Sequence, residues 1–234
     1  MKNTIQDKTK LVNSVFSKVH GKYDLMNDVM SFGVHRIWKE KFIDWMNPSK
    51  KTKLIDVASG TGDIARLFSL RSKNLSEVTC VEPNDKMFNE GKNNLKNFKN
   101  INWIKSSAET IPVKDNIYDF YTISYGIRNV SDINKALKEA FRVLKPGGRF
   151  MCLEFSKIDN EFLNFFYKSY SKAIPVIGKY IVGSSEPYEY LVNSIDSFYN
   201  QKQLSELMIK NGFSNVEYRN LSNGISAIHS GWKI

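Results

Sequence analysis

At residues 53–65 the chain reads Lys53-Leu54-Ile55-Asp56-Val57-Ala58-Ser59-Gly60-Thr61-Gly62-Asp63-Ile64-Ala65. An apolar run ends in a glycine-rich turn, and a helical pattern follows it directly. This order predicts a strand, a tight loop and a helix, the arrangement that binds nucleotide-like ligands in open α/β sheets. Gly60 and Gly62 lack a Cβ atom, so the backbone there can turn sharply and approach a ligand closely.

An acidic residue follows the glycine loop at the spacing expected of a ribose-binding group. Glu82 lies roughly 20 residues after Gly62 and ends a second apolar run, Val78-Thr79-Cys80-Val81. A carboxylate in this position can accept hydrogen bonds from both hydroxyls of a ribose. The chain is therefore predicted to hold a cofactor that contains adenosine.

Two further carboxylates favour S-adenosylmethionine over a dinucleotide. The spacing alone does not exclude NAD as the cofactor, because alanine, here Ala65, is tolerated in place of the third glycine of a dinucleotide-binding loop. Asp56 precedes the glycines and Asp63 follows them, and this pair would repel a pyrophosphate but suits a sulfonium and an ammonium. The alternative is that Asp56 is only a turn residue and Asp63 only an N-cap. With Glu82 taken into account, that alternative is the weaker one.

Composition indicates one soluble α/β domain in a reducing compartment. A chain of 234 residues suits a single core. We find no apolar run that spans a bilayer and no apolar signal core at the N-terminus, and we expect a cytoplasmic enzyme. Cys80 and Cys152 fall in predicted buried strands and read as core residues. The three histidines show no zinc spacing, so no metal is expected.

The formal net charge of +10 allows two interpretations. A basic surface favours nucleic acid or anionic lipid. A solvated, lysine-rich surface explains the charge equally well. The lysines are dispersed, with no arginine-rich block and no aromatic-basic RNA motif, so no nucleic-acid partner is expected.

Strands and helices alternate through the first two thirds of the chain. Helices are predicted over 9–30 and 36–46, the second ending before Pro48. We then expect strands at 53–58, 77–82, 101–105, 118–125 and 148–155, with helices near 63–71, 84–97 and 131–144. Alternation of this kind predicts βαβ units and a parallel sheet.

After residue 156 the alternation stops and resumes only near residue 201. The intervening aromatic-rich segment reads helix, loop, helix; it is either a substrate lid or extra packing. A helix at 201–211 and strands near 215–220 and 225–230 follow. We therefore divide one domain into an N-terminal helical cap (1–50), a cofactor-binding core (51–156), an insert (157–200) and a C-terminal helix with strands (201–234).

Five motifs resemble the ubiquinone/menaquinone biosynthesis C-methyltransferases and cover nearly the whole chain from about residue 11. The first is the most specific, because generic methyltransferases lack it. The motifs are Val15-Phe16-Ser17 with Lys22-Tyr23-Asp24-Leu25-Met26-Asn27-Asp28-Val29-Met30-Ser31-Phe32-Gly33, His35-Arg36 and Trp38-Lys39; Asp56 to Asp63; Ile123-Ser124-Tyr125-Gly126-Ile127-Arg128-Asn129-Val130; Arg142-Val143-Leu144-Lys145-Pro146-Gly147-Gly148-Arg149 running to Leu153-Glu154-Phe155-Ser156; and Gly212-Phe213 with Gly224-Ile225 and His229-Ser230-Gly231-Trp232.

The resemblance implies a doubly wound, mostly parallel seven-stranded sheet, the Rossmann-like class I methyltransferase fold, with one antiparallel strand. It also implies C-methylation of a prenylated benzoquinol or demethylmenaquinol by S-adenosylmethionine. Two residues depart from the family pattern: Ser107 is shorter than the usual amide or acid, and Ser59 replaces a glycine, which costs little only if its φ is negative. The implied cofactor residues are Asp56, Ser59, Gly60, Thr61, Gly62, Asp63, Glu82, Ser107, Ala108 and Ser124.

The resemblance assigns substrate activation to Arg128 with Tyr23 and Asn129. A quinol carbon is a poor nucleophile until a ring hydroxyl loses its proton, and a guanidinium would stabilise the phenolate. Arginine stays protonated, so we expect electrostatic stabilisation and not a literal base. His35 and Glu154 are secondary candidates for proton transfer, and each is equally well explained as structural.

Several alternatives stay open at this point. A methyltransferase that acts on RNA or protein would explain the charge, and one that acts on another small molecule would share the fold. A nicotinamide oxidoreductase would share the loop, and a partner-dependent subunit would bind cofactor without turnover. The expected partners are a prenylated quinol and the inner face of a membrane. A homodimer and a complex with other quinone-biosynthesis enzymes are both compatible with the sequence.

Overall fold

The computed structural model describes residues 33–158 and 185–234, together with residues 12, 14, 15, 17, 28 and 31. In these residues seven strands form one sheet with the order β3-β2-β1-β4-β5-β7-β6. β7 is antiparallel to its neighbours β5 and β6, and the other pairings are parallel. The strands are β1 Lys53–Val57, β2 Glu77–Val81, β3 Ile101–Ile104, β4 Tyr118–Ser124, β5 Leu144–Phe155, β6 Ser214–Leu221 and β7 Ser226–Trp232. The predicted doubly wound, seven-stranded sheet is confirmed.

The described helices lie close to the predicted ones. They are α1 His35–Met46, α2 Asp63–Arg71, α3 Asp85–Asn94, α4 Ile133–Val143, α5 Glu186–Ser197 and α6 Gln201–Lys210. Asn84 caps α3, because its side chain accepts hydrogen bonds from the backbone N–H groups of Lys86 and Met87. Most of the helix predicted over 9–30, and residues 159–184 of the insert, lie outside the described residues.

The start of β5 differs from the prediction. The strand begins at Leu144 and not at residue 148, so Pro146 and Gly147 lie inside it. A register shift opposite β4, between Tyr118 and Phe120, absorbs the extra residues as a bulge. The preceding helix ends at Val143, before Pro146 and Gly147, but the chain continues from it directly into the bulged strand.

Alternation along β1 directs its side chains to the two faces of the sheet. Leu54 packs in the hydrophobic cluster that includes Phe42 of α1 and Phe68 of α2. Ile55 packs in the opposite cluster, with residues of α4 and α6. Asp56 follows and therefore points to the face covered by α1 and α2. Cys80 and Cys152 are free and buried, as predicted.

No helix among the described residues is both long enough and apolar enough to cross a bilayer.

Candidate active site

The glycine loop between β1 and α2 adopts a backbone that its sequence explains. Gly60 and Gly62 have φ values of 56° and 92°, in the region that glycine tolerates best. A Cβ on Gly62 would lie 2.4 Å from Cδ1 of Leu95, so packing also requires glycine there. The left-handed non-glycine residue of the loop is Ala58, at φ 54°, and not Ser59. Serine in place of the family's glycine therefore costs little.

The Ser59 hydroxyl ties the ends of two neighbouring strands together. It donates to the carbonyl oxygen of Asp56 at 2.6 Å and accepts from the backbone N–H of Val81 at 3.1 Å. These bonds hold the glycine loop against β2.

Glu82 lies directly after β2 and is buried against the same loop. One carboxylate oxygen accepts from the backbone N–H of Gly60 and the other from that of Asn84, both at 2.9 Å. Burial raises the pKa of Glu82, and the two backbone hydrogen bonds oppose that effect. Each oxygen can accept a further bond, so the carboxylate is fixed in place with acceptor capacity left for a diol.

A cavity of about 130 Å³ opens where β1, β2 and β4 end. This is the edge at which open α/β sheets bind ligands. The lining of this cavity contains five of the predicted site residues. One of them, Ser107, has a local partner, since its hydroxyl lies 3.3 Å from that of Thr110. The described residues around the cavity are Val12, Ala58, Gly60, Glu82, Pro83, Asn84, Met87, Ser107, Ala108, Glu109, Tyr125, Gly126, Asn129, Val130 and Ser131.

A smaller cavity, of about 30 Å³, adjoins the first through Ala58, Gly60 and Tyr125. In contrast to the first, it combines carboxylates with a cation. Its lining consists of Lys39, Asp56, Ala58, Ser59, Gly60, Thr61, Asp63, Ile64, Ser124 and Tyr125. The predicted residues Asp56, Thr61, Asp63 and Ser124 therefore come together here.

Asp56 is almost fully buried at this smaller cavity. Its Oδ1 accepts a 2.7 Å hydrogen bond from the Thr122 hydroxyl. Among the described residues, neither its Oδ2 nor the buried Ser124 hydroxyl has a hydrogen-bond partner. Burial raises the pKa of Asp56 to about 7, against the Thr122 hydrogen bond. A cationic group bound beside such a carboxylate would favour its ionised form.

Asp63 is paired with a lysine that the sequence analysis did not assign to the site. Lys39 Nζ lies 2.6 Å from Asp63 Oδ2, and the Lys39 side chain is only 8% exposed. Burial acts to raise the pKa of Asp63, but the charge and hydrogen bond of Lys39 outweigh it and lower the pKa. Gly62 is the N-cap of α2, and no side-chain cap forms there. The repulsion of a pyrophosphate expected from Asp63 is thus offset by Lys39.

Arg128 is buried in the short 3-10 turn Ile127–Asn129 that follows β4. Its Nη1 contacts Glu154 Oε1 at 2.6 Å and the Tyr125 carbonyl oxygen at 2.7 Å. Burial raises the pKa of Glu154, although the charge of Arg128 opposes this. Nε of Arg128 donates to Ser194 of α5 at 3.3 Å. Arg128 is thus a buried, ion-paired residue, neither a surface arginine nor a helix cap.

Arg128 and Asn129 border different cavities. Asn129 lines the 130 Å³ cavity, and its Oδ1 accepts a 2.8 Å hydrogen bond from the Tyr190 hydroxyl. Arg128 borders a third cavity, of about 390 Å³. The other described residues around that cavity all belong to α5. They are Glu186, Glu189, Tyr190, Asn193, Ser194 and Ser197.

The remaining candidates are Tyr23 and His35. Tyr23 lies outside the described residues. His35 is buried, and its Nε2 lies 2.8 Å from Asp28 Oδ1. Burial and the nearby charge of Lys39 lower the pKa of His35 despite Asp28, which keeps the imidazole neutral at pH 7.

The chain matches the model of the ubiE/COQ5 methyltransferase family over residues 2–233. A protein of Rickettsia bellii named ubiquinone/menaquinone biosynthesis C-methyltransferase UbiE is 50% identical, over 97% of this chain and 94% of its own. The protein of that name from Brucella abortus is 47% identical, over 97% of this chain and 87% of its own.

Solved structures support the fold. A SAM-dependent methyltransferase of Thermotoga maritima superimposes with a TM-score of 0.65, at 21% identity, over 94% of this chain and 99% of its own. An N-methyltransferase of Haemonchus contortus in complex with S-adenosylhomocysteine gives a TM-score of 0.62, at 13% identity, over 84% of this chain and 52% of its own. At these identities the likeness establishes the class I methyltransferase fold and nothing finer.

Proposed function

Because the chain belongs to the ubiE/COQ5 methyltransferase family, we propose that it methylates a ring carbon of a prenylated quinol in ubiquinone or menaquinone biosynthesis. It is an S-adenosylmethionine-dependent C-methyltransferase. The observation that carries the proposal is a family match over nearly the full chain, joined to a cavity built by the glycine loop and Glu82. Relatives 47–50% identical carry the name of this quinone-pathway enzyme. The RNA and nicotinamide alternatives have no comparable support.

The two adjoining cavities fit the two ends of the cofactor. Glu82, Ser107 and Ala108 surround the space suited to adenosine, and Glu82 has acceptors for a ribose diol. Asp56, Thr61 and Ser124 line the smaller space, where the unpartnered Asp56 Oδ2 suits a cation. When bound, S-adenosylmethionine supplies an electrophilic methyl group on a sulfonium.

The turn after β4 is the proposed location of the quinol ring. Asn129 lines the cofactor cavity, and its amide nitrogen, which contacts the Tyr125 carbonyl oxygen at 3.4 Å, has a second N–H that can donate to a ring oxygen. Arg128 precedes Asn129 in the same turn and borders the neighbouring 390 Å³ cavity, and its positive charge favours the ionised ring hydroxyl over the neutral one. Glu154 holds the guanidinium in position. The role of Tyr23 rests on the family resemblance alone.

Membrane contact is the finer part of the proposal. A prenylated quinol dissolves in a bilayer, so the enzyme must collect it at the membrane surface. The net charge of +10 supports attraction to the anionic inner leaflet, at about 1 kcal/mol for each nearby basic side chain. Binding to vesicles with and without anionic lipid, at low and high salt, tests this contact.

The test of function is transfer of labelled methyl from S-adenosylmethionine under reducing conditions. The acceptors are a short-prenyl 2-methoxybenzoquinol, a demethylmenaquinol and bulk RNA, run in parallel. We expect label in at least one quinol, and a large loss of it in Asn129→Ala and Arg128→Ala. Arg71→Ala, at an exposed arginine, is the control and should retain activity. Label in RNA alone, or in no acceptor, would contradict the proposal.

A further inference from the structure

The small cavity contains a buried cation whose presence the adenosine site does not explain. Lys39 of α1 lines this cavity together with Asp56, Asp63 and Ser124, and its side chain is 8% exposed. Taking an ammonium out of water is costly unless it is paired. Asp63 supplies a partner at 2.6 Å while itself remaining 33% exposed.

The hydrogen-bonding capacity of Lys39 exceeds what Asp63 uses. A lysine ammonium carries three N–H donors. Within the described part of the chain, one of them is accepted by Asp63 and no second acceptor is found. Two donors of this cavity-lining side chain therefore remain for a further acceptor, and a carboxylate can accept from both.

The same cavity also contains groups that can accept hydrogen bonds from a cation. Asp56 Oδ2 and the Ser124 hydroxyl are buried and, in the described residues, lack partners. Both can accept a hydrogen bond from an ammonium group. A cavity with spare donors at Lys39 and spare acceptors at Asp56 matches a ligand that carries both a cation and an anion.

We propose that Lys39 binds the α-carboxylate of the methionine end of S-adenosylmethionine, while Asp56 and Ser124 receive its α-ammonium group. This inference rests on the proposed function, since it names how the same cofactor is held. The adjoining 130 Å³ cavity shares Gly60 and Tyr125 with this one, so one ligand can extend through both.

A purely structural pair makes a different prediction. If Lys39 served only to neutralise Asp63, then removing Lys39 would affect all adenosine ligands alike. If Lys39 binds a carboxylate, then its removal weakens only those ligands that possess one. The ligand pair that separates the two roles is S-adenosylmethionine and its decarboxylated analogue, which differ only in the carboxylate.

The experiment is calorimetric titration of the full-length protein with both ligands. The wild type should prefer S-adenosylmethionine by about 10- to 100-fold, the range of a charge-assisted hydrogen bond. Lys39→Met should reduce that preference to about threefold or less, while binding of the analogue is retained. Lys41→Met, at an exposed lysine of the same helix, is the matched control and should keep the preference.

Two further variants distinguish the loss of carboxylate binding from misfolding. Lys39→Met leaves the Asp63 carboxylate without its partner, so Lys39→Met/Asp63→Asn removes both charges together. Asp63→Asn alone should keep the preference, because Lys39 remains. Equal loss for both ligands in the Lys39 variants, or an unchanged preference, would overturn the inference. Failure of the wild type to bind either ligand would instead contradict the proposed function.

Discussion

The hydroxyl of Tyr190 donates a 2.8 Å hydrogen bond to Oδ1 of Asn129, and so connects α5 of the insert to the turn after β4. One helical turn further along, Ser194 accepts from Nε of Arg128. The same helix therefore contacts both residues proposed to activate the quinol. Nδ2 of Asn129 donates to the Tyr125 carbonyl oxygen at 3.4 Å, and because a carbonyl can only accept, this second bond supports the same orientation of the amide.

Tyr190→Phe is expected to impair methyl transfer without weakening cofactor binding. Loss of one hydrogen bond, roughly 0.5–1.5 kcal/mol, should lower kcat/KM for the quinol about 2- to 10-fold. The cause is that the Asn129 amide would keep only its long contact with the Tyr125 carbonyl oxygen, at 3.4 Å, and would be less firmly oriented. Tyr199→Phe, at a tyrosine 41% exposed, is the matched control. Titration with S-adenosylhomocysteine provides the second readout, and a weaker affinity there would argue against a role confined to Asn129.

Gly60→Ala and Gly62→Ala are expected to fail in different ways. Both glycines have a positive φ, so an alanine at either position is destabilised by about 1 kcal/mol of backbone strain. At Gly62 the new methyl also meets Leu95 at 2.4 Å, whereas at Gly60 nothing lies within 4 Å. We expect Gly62→Ala to lose about 1–3 kcal/mol more stability by urea unfolding. Gly60→Ala should fold but bind S-adenosylhomocysteine poorly.

Gly147→Ala provides the matched control for the glycine loop. Its φ is 78°, and a Cβ there would have open space, but it lies in the bulge of β5 away from both cofactor cavities. We expect it to show the strain cost alone, with normal cofactor affinity. An equal loss of affinity in all three variants would show that the loop effects are not local.

The fold was predictable because its signals are local. The loop around Gly60 and the alternation of elements lie within short segments, and the structure reproduces them to within a few residues. The start of β5 was not predictable in this way. There, the N–H of Gly147 donates to the Lys233 carbonyl, and the N–H of Lys233 to the Gly148 carbonyl. A partner about 85 residues away thus draws a turn sequence into the sheet.

Spacing around the glycine loop predicted Asp56, Asp63 and Glu82, which line the two adjoining cavities, but contacts between distant parts of the chain were not predictable in this way. Lys39 stands inside a quoted motif, but its contact with Asp63 spans 24 residues and follows no helical or strand period. Tyr190 contacts Asn129 across 61 residues and lies in a segment read only as aromatic-rich. Contacts of this kind depend on how α1 and α5 pack on the sheet, which spacing does not encode.

Breaking the buried ion pair of Arg128 and Glu154 is expected to destabilise the protein far more than breaking a surface pair. Their side chains are 1% and 2% exposed. Removing one partner leaves an uncompensated buried charge, so Glu154→Ala should cost about 3–5 kcal/mol of unfolding free energy. Asp44→Ala removes a partner of the exposed Arg71 and should cost no more than about 1 kcal/mol. Urea unfolding of both variants provides the comparison, and similar losses would contradict it.

Cofactor binding is expected to weaken below neutral pH because of Asp56. Its pKa of about 7 means that acidification neutralises the carboxylate that should face the cationic ligand. Affinity for S-adenosylmethionine should fall up to about tenfold for each pH unit below 7. Glu82 and Lys39 are the charged groups acting on Asp56. Asp56→Asn should bind more weakly at pH 8 but with a flatter pH profile; an equally steep profile in the variant would assign the effect elsewhere.

Protonation of Asp56 is expected to affect folding in the opposite direction, because it stabilises the folded chain while it weakens cofactor binding. Since burial raises the pKa of Asp56 from 3.8 to about 7, the folded chain binds a proton that the unfolded chain has released. Its contribution to stability is therefore fully present below pH 3.8 and is lost as the pH rises toward 7, by about 1.4 kcal/mol per pH unit. Other carboxylates also titrate, so the quantity to measure is the difference between the wild type and Asp56→Asn. In urea unfolding at pH 5 and pH 7, the variant should gain stability relative to the wild type at the higher pH. A difference that is independent of pH would mean that Asp56 is ionised throughout this range, and the predicted pH dependence of cofactor binding would then fail as well.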